Sequence, residues 1–310
     1  MAGVAVLGES VADAFGTAQA ADGRFGLEVT AGGSPANTAA ALARLGTHAL
    51  YVGRFSHGPL GRFLRQRLVD MGVDLRASVD GTQQSTLAIT SLTHGVADYE
   101  FYADGTVDWQ WDAAQTRQAA QLDVTALHSG SLALAIEPSA SAIADVLAQQ
   151  RDRATIAIDP NARPRLVSAE QYRRRFTEWI ALADIIKISE ADLDHIFGSR
   201  NHTALCRSWI SAGVGLVVMT RGAAGAIAFH GDETYEVAAP AVTVVDTVGA
   251  GDVFTAGLLH SLERGGCLGG RLHDLDPSAL RNAMEVATAV AAYTCTQNGA
   301  AAPDWDDLAA

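Results

Sequence analysis

The sequence predicts an α/β fold in three layers: a central, mostly parallel sheet with helices on both faces, and a small β-rich patch outside it. Three observations predict it. From Leu127 onward, short apolar runs alternate with helix-like runs, the rhythm of a parallel sheet covered on both sides. Several apolar runs end in Gly or polar turns, as at Gly8, Asp159-Pro160-Asn161 and Thr220-Arg221-Gly222. Between residues 83 and 108 the helical texture gives way to two strand-like runs around His94-Gly95, a hairpin signal.

Taken in order, Val4–Leu7 reads as a buried first strand ended by Gly8, and Glu9–Phe25 as a loop or small edge elements. Gly32-Gly33-Ser34-Pro35-Ala36-Asn37 is a Gly-rich turn in which Ser34 suits a helix cap and Pro35 a first helical turn. Thr38–Leu45 is an Ala-rich helix stopped by Gly46; Ala49–Val52 is a strand, and Leu60–Met71 a helix stopped by Gly72. Ser85–Thr93 and Ala97–Tyr102 form the small sheet. Leu127–Gly130, Thr155–Ile158, Ile185–Ile188 and Gly215–Thr220 are strands separated by the helices Ser139–Gln149, Tyr172–Ala181, Glu190–Phe197 and Ala204–Ala212. Ile227–Phe229 and Thr234–Val237 suggest a hairpin across Gly231. Ala238–Val245 reads as a last strand, and Val253–Glu263 and Ala279–Thr296 as closing helices. With no repeat and no low-complexity linker, residues 1–310 read as a single domain.

Composition excludes several classes. A formal charge of −13, from 22 Lys+Arg against 35 Asp+Glu, disfavours nucleic-acid binding and means that an anionic ligand needs local donors. Cys206, Cys267 and Cys295 form no CxxC pair, so neither a zinc site nor a disulfide scaffold is expected, and a reducing cytoplasm fits. Cys295, in an apolar helical run, reads as core. No basic leader opens the chain, and no run approaches the ~18 apolar residues of a membrane span.

The chemistry concentrates in Asp246-Thr247-Val248-Gly249-Ala250-Gly251-Asp252. Small residues between a β-like run and a helix let successive N–H groups line one concavity, which attracts phosphate oxygens. An acid inside such a turn is costly without a task. Asp252 is placed to take the proton of a hydroxyl attacking a phosphoryl group; a helix cap is the alternative. Asp159, Lys187, Glu190 and Thr220–Gly222 all follow or end strand-like runs, and ligands of α/β sheets bind at that edge.

With these residues in view, nearly the whole chain resembles the ribokinase-like, or PfkB, carbohydrate kinases. Asp246–Asp252 fits that family's C-terminal signature, and Gly32–Asn37 with Gly46 the core of its N-terminal one. Glu9, Asp13, Asp159-Pro160-Asn161, Glu190, Gly222–Gly225 and Gly299-Ala300 fall in the expected order. One stretch departs: Ser56 and Gly58 stand where glycine and aspartate are common.

The resemblance implies a ribokinase-like fold whose lid, residues 15–30 and 83–108, closes over a sugar and in some relatives forms a dimer contact. Val96, Tyr99 and Phe101 would supply apolar surface there. It implies ATP-dependent transfer of the γ-phosphate to a sugar hydroxyl. Asp252 resembles the general base, and Gly249, Ala250 and Gly251 the anion-binding turn. Asp13, Gly33 and Asn37 resemble the sugar clamp, with Phe101 and Arg163 as further substrate contacts. Lys187, Glu190, Thr220, Gly222, Gly225 and Asn282 fall on the nucleotide side. Asp159 and Glu190 would meet Mg²⁺ through water, and Asp246 a K⁺ ion. The run His128–Pro138 resembles bacterial fructokinases, which favours D-fructose and leaves 2-keto-3-deoxygluconate, ribose or a nucleoside as alternatives. Outside catalysis, a sugar-binding regulatory protein is the rival.

Overall fold

The computed structural model describes residues 3–16, 24–93, 96–198 and 201–308. Its first half runs β1 (Val4–Leu7), β2 (Val11–Gly16), β3 (Leu27–Gly32), α1 (Ser34–Arg44), β4 (Ala49–Val52), β5 (Arg54–Ser56), α2 (Pro59–Asp70), β6 (Val79–Gly81), β7 (Leu87–Thr93), β8 (Val96–Tyr102), α3 (Ala113–Ala119), β9 (Ala126–Gly130) and α4 (Ser139–Gln150). It continues with β10 (Thr155–Asp159), α5 (Ala169–Leu182), β11 (Ile185–Ser189), α6 (Glu190–Phe197), α7 (His202–Ser211), β12 (Leu216–Thr220), β13 (Ala226–His230), β14 (Glu233–Val237), α8 (Ala250–Arg264), α9 (Pro277–Cys295) and α10 (Trp305–Leu308).

Eight strands form the central sheet in the order β14-β13-β12-β11-β10-β9-β1-β4. Pairing is parallel from β4 to β12 and antiparallel across β13 and β14. The alternation of strand side chains divides the core in two. Ala5, Leu7, Leu50, Val52, Ile156 and Ile158 join one apolar cluster with α4, α5, α6 and α7. Val4, Val6, Ala49, Tyr51 and Ala157 join the other, with α1, α2, α8 and α9. Both faces are therefore covered, as expected of apolar strands with no polar alternation.

A four-stranded sheet, β3-β2-β7-β8, stands beside the central one, and β5 pairs with β6. β1 of the central sheet leads almost directly into β2 of the small one, so Asp13 sits near the junction. Residues 17–23, the His94-Gly95 turn and the side chains of Val96 and Tyr99 lie outside the described residues. Among the described residues, no helix is long and apolar enough to cross a membrane.

Three expectations need correction. Ala238–Val245 is not a strand: the sheet ends at β14, and Val242, Val244 and Val245 are exposed. No described strand partners this segment, and the Val245 N–H donates instead to the Cys295 carbonyl. Ser34 is not the cap of α1. Gly33 takes that place without a side-chain bond, and the Ser34 hydroxyl turns toward Asp252. Cys295 is only partly buried. At the Ser56/Gly58 departure the chain forms a compact turn into α2, in which the Gly58 N–H donates to Ser56 Oγ.

Candidate active site

The carboxyl ends of β10, β11 and β12 and the first turns of α1 and α8 meet at one edge of the sheet. Helix α8 begins at a left-handed residue, Gly249 (φ 76°), a conformation that costs other residues about 1–2 kcal/mol. The Asp246 carboxylate staples the approach by accepting the Val248 N–H at 3.0 Å and the Gly299 N–H at 2.9 Å. These bonds hold its carboxyl below the usual range.

Asp252, 5% exposed, points from the first turn of α8 into the space before α1. Its Oδ1 accepts from the Ser34 hydroxyl at 2.7 Å and the Asn161 amide at 3.1 Å; its Oδ2 accepts from the Asn37 amide at 2.9 Å. Burial raises the pKa of this carboxyl, and the Ser34 and Asn37 donors and the Arg163 charge oppose the rise. Asn161 reaches its position with a positive φ of 38°, uncommon for a side chain larger than glycine. Its amide also donates to Ser34 Oγ at 2.8 Å, closing a triangle with Asp252. Arg163 donates to the Asn161 carbonyl, to Asn161 Oδ1 and to the Ala162 carbonyl, so its guanidinium fixes the turn that carries Asn161.

Behind this triangle, Lys187 Nζ donates to Asp159 Oδ2 at 2.8 Å, and both side chains are nearly inaccessible, at 5% and 1%. Burial pulls the lysine's pKa down, but Asp159, Asp192 and Asp252 more than offset it and leave it raised. The other Asp159 oxygen takes the Asn161 N–H. Asp192 accepts from the Ala162 N–H and the Ser189 hydroxyl, adding a second, half-buried acid that its position in α6 did not single out.

Asp13 and Asn37 line a cleft of about 820 Å³ that also reaches Phe15, Asp246, Val248 and the segment Asn298–Ala302. Burial, with help from the Asp252 charge and against Arg163, lifts the Asp13 carboxyl to about 6. At Gly33 (φ 95°) a Cβ would lie 2.6 Å from the Glu9 carbonyl oxygen, so only glycine fits. Glu9 is buried, accepts the Ala133 N–H and is lifted by burial to about 7. Arg67 on α2 lines the same cleft, and among the described residues its guanidinium has no carboxylate partner.

Other candidates stand apart. Glu190 opens α6 with its carboxylate about half exposed, facing His202 at 3.7 Å. Thr220 ends β12, and Gly222 and Gly225 form the tight turn that follows, with Gly225 N–H donating to the Gly222 carbonyl. Asn282 is exposed on α9 and donates to Ser261 on α8, joining none of the other candidates. Phe101 is half-buried on β8, opposite Ala88.

The donor set speaks to a metal. Among the described residues no group of three or more His, Cys, Asp or Glu could cage an ion. Asp159 is already engaged by Lys187, and Glu190 is exposed. Asp159 and Glu190 would therefore meet a Mg²⁺ ion only through its waters.

Comparison with known proteins bears on this geometry. The model of the pfkB family carbohydrate kinases matches residues 1–307. A fructokinase of Rhizobium leguminosarum bv. trifolii is 36% identical over 262 residues, covering 84% of this chain and 80% of that protein. The crystal structure of a fructokinase with bound ATP from Xylella fastidiosa superposes with a TM-score of 0.88 at 25% identity, over 99% of this chain and 96% of the other. A Vibrio cholerae O395 fructokinase in its fructose-, ADP- and calcium-bound form gives 0.83 at 26% identity, over 100% and 98%.

Proposed function

Because the chain belongs to the pfkB family of carbohydrate kinases, we propose that this ATP-dependent sugar kinase acts on a neutral ketohexose, converting D-fructose to fructose 6-phosphate. The observation that carries the proposal is Asp252, buried at the start of α8 within one turn of Gly249 and facing the Asn37 end of the cleft. A primary hydroxyl entering there gives its proton to Asp252 as its oxygen bonds to phosphorus and the bond to ADP breaks. The amides of Gly249, Ala250 and Gly251 receive the developing phosphoryl charge, and positioning supplies most of the acceleration. Bound Mg²⁺ would neutralise phosphate charge, with Asp159 and Glu190 meeting its waters. In the same reading K⁺ would sit beside Asp246. Thr220, Gly222 and Gly225 lie on the nucleotide side of that reading.

The sugar's other hydroxyls would donate to Asp13 and bond Asn37. Asp13 lies on β2, so the four-stranded sheet would carry part of the sugar contacts and cover the cleft. A carboxylate accepts hydroxyl protons best when ionised, and burial raises this group to about 6. Sugar affinity is therefore expected to be full well above pH 6 and to fall as pH drops through that value. Asp13→Ala should weaken sugar binding at every pH while ATP binding survives. Calorimetry with fructose across pH 5–8 checks both; unchanged affinity in the variant would reject the clamp.

Two features support a neutral sugar. Residues 83–109 contain no Lys or Arg, and one terminal nitrogen of the Arg163 guanidinium is turned to Asn161 and Ala162 oxygens. Arg67 favours a second reading, a sugar acid such as 2-keto-3-deoxygluconate, because it places on the cleft wall a cation with no carboxylate partner among the described residues. A coupled ADP-release screen over fructose, 2-keto-3-deoxygluconate, ribose and adenosine decides between them, with fructose expected to give the highest kcat/KM. A tenfold preference for the acid, about 1.4 kcal/mol in the transition state, would overturn fructose and leave the kinase standing. No ADP release with any sugar would favour a regulatory sugar-binding protein.

A further inference from the structure

We propose that the Lys187 ammonium is a catalytic cation that shifts from Asp159 to the phosphoryl group in flight. This rests on the kinase reading and adds to it a second source of positive charge built into the chain.

Placement is the first support. Lys187 lies in β11, and its Nζ reaches forward to Asp159 at the end of β10. The same Nζ lies 3.0 Å from where a Cβ on Gly251 would stand. The ammonium is thus held against the backbone of the turn that would receive the phosphoryl charge.

Gly251 supplies the second support. It is the second residue of α8 and, unlike Gly249, has no positive φ that would call for glycine. The close approach of Nζ accounts for the glycine: a methyl group there would press on the ammonium and narrow the gap between it and an anion above the turn.

Charge balance is the third. The groups facing this lysine are Asp159, Asp192 and Asp252 on three different elements, and the Arg163 guanidinium acts on Asp252 from the turn after β10. His128 lies behind it in β9, buried and pushed down to about 3, so it stays neutral and contributes no charge. Moving a buried ammonium off its carboxylate is costly unless another anion replaces it. An arriving phosphate chain is such an anion, and Asp159 keeps the Asn161 N–H when Lys187 moves. Lys187 transfers no proton: the hydroxyl proton goes to Asp252, the new O–P bond forms, the bond to ADP breaks, and the ammonium offsets charge on the equatorial oxygens.

Calorimetry on the full chain tests this with two nucleotides, ADP and the non-hydrolysable β,γ-imido analogue of ATP. Lys187→Met is expected to weaken the analogue about 10-fold or more, the scale of one charge-assisted bond, while ADP affinity changes little. Its kcat with fructose should fall about 100-fold with the sugar KM nearly unchanged. Because Lys187→Met leaves Asp159 buried without its partner and can unfold the chain, Gly251→Ala provides a second route. It keeps the ion pair and should show the same selective loss of the analogue. Equal weakening of both nucleotides, or an unchanged ratio in Gly251→Ala, would overturn the proposal. Activity on a sugar other than fructose would leave these binding ratios, and the proposal, intact. A wild-type chain that binds neither nucleotide would remove the kinase reading and this inference together.

Discussion

Asp252→Asn is expected to lower turnover by at least about 100-fold, the usual scale for losing a general base, with fold and sugar affinity nearly intact. The two side chains are isosteric, so α8 keeps its first turn. What changes is hydrogen-bond polarity. The carboxylate accepts from Ser34, Asn37 and Asn161; an amide can accept on one side only. With its oxygen toward Ser34 and Asn161, its NH₂ faces the Asn37 NH₂, and a flip of the Asn37 amide resolves that conflict. Sugar binding should therefore survive while proton acceptance is lost. Steady-state turnover, read beside fructose calorimetry and a melting curve, checks the separation. A variant that turns over near the wild-type rate would remove Asp252 from the role of base.

Gly249→Ala should be nearly as damaging for a different reason. The residue must hold φ 76°, and an added methyl would lie 2.1 Å from the Ala300 Cβ and 2.6 Å from its Cα. Two backbone segments would have to separate, and the Asp246 carboxylate bonds to one residue on each, Val248 and Gly299. We expect kcat to fall about 100-fold as the amides lose their aim, with a Tm lower by several degrees. Gly46→Ala is the control. Gly46 also has a positive φ, of 90°, but a Cβ there meets nothing within 4 Å. It should lower Tm and leave kcat alone. Equal losses of kcat in the two variants would mean that backbone strain, and not the shape of the turn, was being measured.

The strand and helix rhythm was legible because it rests on local pattern: apolar runs of strand length ending at glycine or polar turns. The central sheet, its flanking helices and the β7–β8 hairpin follow from that pattern. Ala238–Val245 misled because apolar β-branched composition cannot reveal that no neighbouring strand is available. In the site, Gly249 and Gly33 were legible through their small size, a backbone requirement that sequence displays directly, and Asp252 as an acid inside a turn of small residues. Ser34 was visible only as a helix-capping type; its bond to Asp252 spans 218 residues, and no local signal carries such a contact. The same holds for Asn161, whose positive φ is set by tertiary neighbours, and for Asp192 and Arg67, which look like ordinary helix-surface residues. Lys187 was recognisable as a charge at a strand end, but its pairing with Asp159 depends on strand order.

The triangle around Asp252 has a consequence for how activity is acquired. Its members come from α1 near one end of the chain, from the turn after β10 near the middle, and from α8 near the other end. The main sheet also threads distant segments together, since β1 lies between β4 and β9. Closing contacts this distant requires loops that only form when the intervening chain is already compact. No fragment that omits α1, β10 or α8 can hold the carboxylate with its full set of donors. Turnover is therefore a readout of whole-chain assembly, and during refolding it should be the last native property to return, after helicity and after burial of the tryptophans.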